Sequence, residues 1–98
     1  MVQLDTGLAV ARLADVPAAA REVEELGFSG LWTAETSHDP YLPVALAAEH
    51  TSRIDLGTSI AVAFPRSPMV HAMTAWDLAQ QSEGRFILGL GTQVRGHN

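Results

Sequence analysis

The 98-residue chain contains no cysteine, which excludes disulfides, thiolate metal sites and cysteine nucleophiles. It contains no lysine either, so its 6 basic residues are all arginines, scattered singly and set against 11 acids for a formal net charge of −5. Nucleic-acid binding needs clustered positive charge to neutralise phosphates, so no nucleic-acid partner is expected. Long apolar runs are missing: none approaches the roughly 18 residues that span a bilayer, so no membrane association is expected. The opening segment MVQLDTGLAVARL has no basic stretch ahead of an apolar one, so it does not read as a signal peptide, and a cytoplasmic protein is the default expectation. What remains is 47% hydrophobic and 17% charged. That is a globular composition, long enough for one domain with a modest core.

The chain repeats a strand, loop and helix pattern. VQLDTGLAV reads as a first strand. ADVPAAAREVEELGF reads as a helix with Asp15 as N-cap, Pro17 in the first turn and Gly27 just past the end. Val16, Ala19, Ala20, Val23 and Leu26 share one face at helical spacing. GLWTAE (30–35) is a second strand, TSHDPY a polar loop, and LPVALAAEHTS a short helix. RIDLGTSIAVAF (53–64) is a third strand. The next helix starts at Ser67 and Pro68 and ends before Gly84, with Met69, Ala72, Met73, Trp76 and Ala79 as its expected inner face. RFILGLG is a fourth strand.

Strand centres near Leu4, Leu31, Leu56 and Ile87 are spaced by 27, 25 and 31 residues, the length of one βα unit taken about four times. The class is α/β, either an open doubly wound sheet or part of a (β/α)8 barrel. In both, the site lies in the loops after the strand C-termini, here Asp5–Gly7, Glu35–Tyr41, Ser59–Arg66 and Gly91–His97.

Those loops hold the candidate chemistry. Gly89 and Gly91 make a G-x-G after a strand, but Val94 stands where the dinucleotide fingerprint needs its third glycine, and no acidic residue follows at the required distance. The turn instead reads either as a tight structural turn or as an edge of a cofactor site offered by Gly91 and Thr92. Glu35, His38 and Asp39 cluster within five residues, where a histidine beside carboxylates can move protons near neutral pH. The plainer alternative is a capped turn before Pro40, with Asp39 satisfying backbone amides. No recognised metal-ligand spacing is present. His50 and His71 read as ordinary helix histidines, Trp32 and Trp76 as core, and Arg66 as either an anion-facing or a surface residue.

The order of LWTAETSHDPYLP, IDLGTSIAVAF, SPMVHAMTAWDLAQQSEGRF and LGLGTQVRGH resembles the N-terminal part of the luciferase-like flavin monooxygenase superfamily, and most closely its coenzyme F420-dependent oxidoreductases. The resemblance runs from about Leu4 to Asn98 and is most specific in the S-x-G-R-F-x-L-G-L-G run from Ser82 to Gly91. It implies the N-terminal half, about four βα units, of a (β/α)8 TIM barrel spanning 1–98, and therefore a fragment.

It also implies a cofactor in the barrel mouth, coenzyme F420 or alternatively FMN, and hydride transfer or oxygen insertion on a small organic substrate. Homodimers are common in the family. The matching positions are Glu35, His38 and Asp39 as catalytic residues, and Ser59, Ile60, Ala61, Gly91 and Thr92 as cofactor-binding residues. A non-proline cis peptide is implied at Ser59–Ile60. Gln93, Val94 and Arg95 stand where some family dehydrogenases carry a glutamate, which points away from sugar-phosphate dehydrogenation. The alternative function is a non-catalytic half-barrel that works only when paired with itself or a partner.

Overall fold

A computed structural model describes residues 3–8, 10 and 12–92. Four parallel strands form the main sheet: β1 (Asp5–Gly7), β2 (Gly30–Thr33), β3 (Asp55–Thr58) and β5 (Phe86–Ile87), in the order β1-β2-β3-β5. Two further short strands, β4 (Ala61–Val62) and β6 (Leu90–Gly91), pair parallel to each other beyond the ends of β3 and β5. The third and fourth expected strands are thus each broken in two. Three helices connect them: α1 (Val16–Glu25), α2 (Tyr41–Glu49) and α3 (Pro68–Gln81).

The strand order decides between the two architectures that periodicity left open. A doubly wound sheet reverses its order at a switch point, which sends helices to both faces. Here neighbours follow chain order, so right-handed crossovers deliver all three helices to one face, as in a barrel wall. Leu31 and Leu56, adjacent in register, are buried on that face with Val16, Ala20, Val44, Ala47 and Leu78. Trp32, Gly57 and Ile87 alternate onto the opposite face. A Cβ at Gly57 would run into the Trp32 ring, so glycine is what allows the indole to lie across β3.

Local punctuation behaves largely as the residues dictate. Ser67 caps α3, its hydroxyl accepting from the Val70 N–H at 3.1 Å, and Pro68 opens the helix. Gly27 and Gly84 follow α1 and α3 with φ of +93° and +86°, a conformation glycine adopts without steric cost. Asp15 precedes α1 but makes no side-chain cap; a 3₁₀ turn at Leu13–Asp15 leads into the helix instead.

Facing departs from expectation in two helices. At the end of α1, Leu26, just past the last helical residue, is exposed while Glu24 is buried. The Glu24 carboxylate accepts from the backbone N–H groups of Ser52, Arg53 and Ile54, and so organises the turn entering β3. In α3, Met69, Met73 and Trp76 point to solvent, and the buried residues are His71 and Leu78. Apolar residues fall on both sides of the helix, Ala75 and Leu78 on one and Met69, Met73 and Trp76 on the other, so spacing alone does not say which side meets the sheet.

Candidate active site at the strand ends

The β2–α2 loop is built by short polar bonds. The Thr33 hydroxyl donates to the Pro40 carbonyl at 2.7 Å. One Asp39 oxygen accepts from the N–H groups of Tyr41 and Leu42, each at 2.7 Å, which caps the otherwise unsatisfied first turn of α2.

Beyond β3 the chain bulges and then resumes as β4. The Ser59–Ile60 peptide is cis, at the position the resemblance implied. The bulge is held from both sides. The Ser59 N–H donates to Thr33 O at 2.6 Å and the Glu35 N–H to Ile60 O at 3.1 Å, while Ala61 and Ala63 donate to Gly89 O and Gly91 O. Thr58 closes the far side, its hydroxyl donating to Gly89 O at 2.9 Å and accepting from Gly89 N–H at 3.0 Å. A side chain at Gly89 would strike the Thr58 carbonyl, and one at Gly91 would strike Ile60. The two glycines therefore let the fourth strand lie directly against the bulge.

Arg66 is the residue whose role the sequence did not reveal. Its guanidinium donates to Glu35 Oε1 at 2.9 Å and to Asp39 Oδ1 at 3.1 Å, and its Cζ lies 5.3 Å from the centroid of the Tyr41 ring. The planar fork and stacking ability of arginine suit it to bridging two carboxylates over an aromatic face. Glu35 also accepts from the Val62 N–H at 2.8 Å. Burial pushes the Glu35 carboxyl up, but Arg66 and the Val62 N–H outweigh it and hold the group below the usual carboxylate range. Glu35 thus ties the β2 end to β4 as an ionised acceptor.

A double-mutant cycle of Glu35→Gln and Arg66→Met, read by urea unfolding, should give a coupling of about 1–2 kcal/mol. A coupling indistinguishable from zero would mean that this pair does not hold the bulge.

Behind this layer, Tyr41 Oη and His71 Nδ1 are 2.6 Å apart, and His71 Nε2 lies 3.2 Å from Ala63 O. A carbonyl can only accept, so Nε2 carries a proton and the phenol can donate to Nδ1. Burial pushes the Tyr41 phenol up, which keeps it a donor. His71 is therefore a satisfied core histidine. His50 is also engaged, with Arg21 Nη2 donating to its Nδ1 at 3.0 Å.

Of the residues expected to form the site, the structure links Glu35 and Asp39 through Arg66 and sets Ser59, Ile60 and Ala61 beside them with Gly91 packed on Ile60. His38 is exposed and, among the described residues, makes no hydrogen bond; Thr92 is exposed beyond β6. Gln93, Val94, Arg95 and His97 lie outside the described residues. An open depression of about 390 Å³ sits at the strand ends, lined by Asp5, Gly7, Trp32, Ala34 and Ser59 among others. Among the described residues no cluster of His, Asp and Glu could hold a metal ion, and no helix is long and apolar enough to cross a membrane.

The family model for luciferase-like monooxygenases matches residues 2–98. The chain belongs to the luciferase-like monooxygenase family. An uncharacterised protein of Mycobacterium tuberculosis is 62% identical over 88 residues, which is 90% of this chain and 25% of that protein. A putative coenzyme F420-dependent oxidoreductase of the same organism is 43% identical over 79 residues, 80% of this chain and 22% of that one. Among solved structures, coenzyme F420-dependent tetrahydromethanopterin reductase from Methanopyrus kandleri superposes with a TM-score of 0.86 at 26% identity, covering 97% of this chain and 28% of that one. The chain thus spans about a quarter of the length of these family members, and its parallel sheet is the corresponding part of a TIM-barrel wall.

Proposed function

We propose that this chain contributes the strand-end wall of a flavin-type oxidoreductase site, with coenzyme F420 as the cofactor and FMN as the alternative. The observation that carries the reading is the open depression beside the β3–β4 bulge. Its lining combines small residues, Gly7, Ala34 and Ser59, with the flat indole of Trp32. That surface can receive a planar ring system without a side chain in the way. Among the described residues no partner takes the Ile60 N–H or the Ser59 hydroxyl, so both can hydrogen-bond a ring edge. Ser59 and Ile60 would hold the ring from below, with Gly91 and Thr92 beside it, while Ala61, fully buried and with its N–H bonded to Gly89 O, would support them from behind. When bound, such a cofactor supplies hydride transfer, or oxygen activation in the FMN case, toward a small organic substrate.

The three acid/base candidates divide by what already occupies them. Glu35 and Asp39 are committed to Arg66 and to backbone N–H groups, so they set the shape and charge of the loop. His38 has both ring nitrogens available and is the residue we assign to proton transfer. The F420 preference draws support from the relative whose name includes that coenzyme.

Titrating the chain against F420 and FMN while following cofactor fluorescence tests the reading. A saturable change is expected, weakened at least tenfold by Ser59→Leu, which fills the depression. No saturable change with either cofactor, in this chain and in one extended through eight strands, would overturn it.

A second reading is a non-catalytic half-barrel that pairs with itself. The solvent-facing Met69, Met73 and Trp76 on α3 favour it, because a contiguous apolar face is where a second copy would pack. A homodimer is compatible with both readings, and sedimentation of the chain as a monomer would remove the second.

A further inference from the structure

A second cavity, of about 190 Å³, lies beside the barrel mouth between the 3₁₀ turn that leads into α1 and the first turn of α2. Its floor is apolar, formed by Val10, Leu13, Val16, Leu42 and Pro43, and its polar lining consists of Arg12, His38 and Asp39. A shallower groove shares Val10, His38, Asp39 and Pro43 with this cavity, and Leu8, Thr33 and Ala34 with the strand-end depression. The three spaces therefore run in series from the depression, over the end of β2, to Arg12.

The charges along this path differ in availability. Both Asp39 oxygens are already occupied, one by Arg66, which Glu35 shares, and the other by two backbone N–H groups. Among the described residues the side chains of Arg12 and His38 make no ion pair or hydrogen bond, so the polar side of the cavity offers free donors and the positive charge of Arg12 over an apolar floor. An apolar cavity of about 150 Å³ holds a benzene ring, so this one holds a group of roughly six carbons. A guanidinium placed at its edge selects an anionic end group, carboxylate or phosphate, over a neutral one.

We propose that this cavity is a substrate subsite for an apolar arm ending in an anionic group, with Arg12 binding that group and His38 facing the path back to the depression. The assignment rests on the proposed function for the identity of the ligand as a substrate, and it narrows the substrate class to acidic amphipathic molecules. It makes Arg12 a specificity-determining residue, set some way from the reacting atoms.

The test compares hexanoate with 1-hexanol on the 98-residue chain by NMR titration, with no cofactor present. Hexanoate should bind at least tenfold tighter and shift the amides of Leu13 and Leu42. Arg12→Gln should abolish the preference and leave the alcohol unchanged, Arg12→Lys should retain part of it, and Leu13→Trp should weaken both probes by filling the cavity. Equal affinity for acid and alcohol, or a preference that survives Arg12→Gln, overturns the subsite. Cofactor binding is read separately by its own fluorescence. Its failure with the acid preference intact would count against the flavin-type reading and leave an anion subsite standing.

Discussion

Replacing Arg85 by alanine should destabilise the chain by about 3 kcal/mol, more than any other single arginine substitution. The guanidinium donates to five oxygens that have no charge of their own: the carbonyls of Ala48, Thr51, Ile54 and Ser82, and the Thr51 hydroxyl. It thereby satisfies the orphan carbonyls at the end of α2 and joins them to the start of β3 and the end of α3. Truncation leaves these carbonyls without their donors, and unsatisfied buried acceptors cost more than a hydrogen bond gains. Lysine should recover less than half the loss, because one ammonium cannot reach points spread around a planar fork. Thermal unfolding checks this, since each kcal/mol shifts Tm by roughly 4–8 °C in a domain of this size. A fall below about 4 °C for Arg85→Ala would show that water replaces the guanidinium without penalty.

Glu24→Ala comes second, with an expected loss of about 2–3 kcal/mol at neutral pH from three backbone N–H groups stripped of their acceptor. Burial pushes the Glu24 carboxyl up, but the N–H donors of Arg53, Ser52 and Ile54 and the charge of Arg53 outweigh it, leaving the group below the usual carboxylate range. A carboxyl depressed in the folded state contributes its stability above the unfolded titration range, and that contribution disappears as pH falls through the lowered folded value. The gap between wild type and Glu24→Ala should therefore be full at pH 7 and shrink steadily on acidification below the usual carboxylate range. Urea midpoints measured from pH 7 to pH 3 give the curve. A gap independent of pH would assign the loss to packing and not to the carboxylate.

How much of this was legible beforehand depends on the range of the interaction. Ser67, Pro68, Gly27 and Gly84 act within a turn of their own position, and the helix ends they mark were readable from the sequence. The order of strands and helices followed from the same punctuation and from apolar runs. The bridging of Glu35 and Asp39 by Arg66 was not readable, because 27 or more residues separate the partners. The same holds for Glu24 with the turn before β3 and for Arg85 with the end of α2. The facing of α3 was misread for another reason. Methionine and tryptophan outrank histidine in hydropathy, yet His71 is buried because Tyr41 and Ala63 satisfy both its nitrogens, while Met69, Met73 and Trp76 lie on the far side. The break of the third strand at Ser59–Ile60 came only from the family resemblance; nothing in the alternation of RIDLGTSIAVAF announces it.

The placement of the two tryptophans gives the molecule a built-in pair of optical reporters. Trp76, 66% exposed, stands on the outer face of α3 and will emit toward the red, open to soluble quenchers. Trp32 lines the depression, half-buried over Gly57, and its emission will answer to whatever fills that space. One emission spectrum, resolved with and without iodide, can then distinguish events at the strand ends from association along the helix.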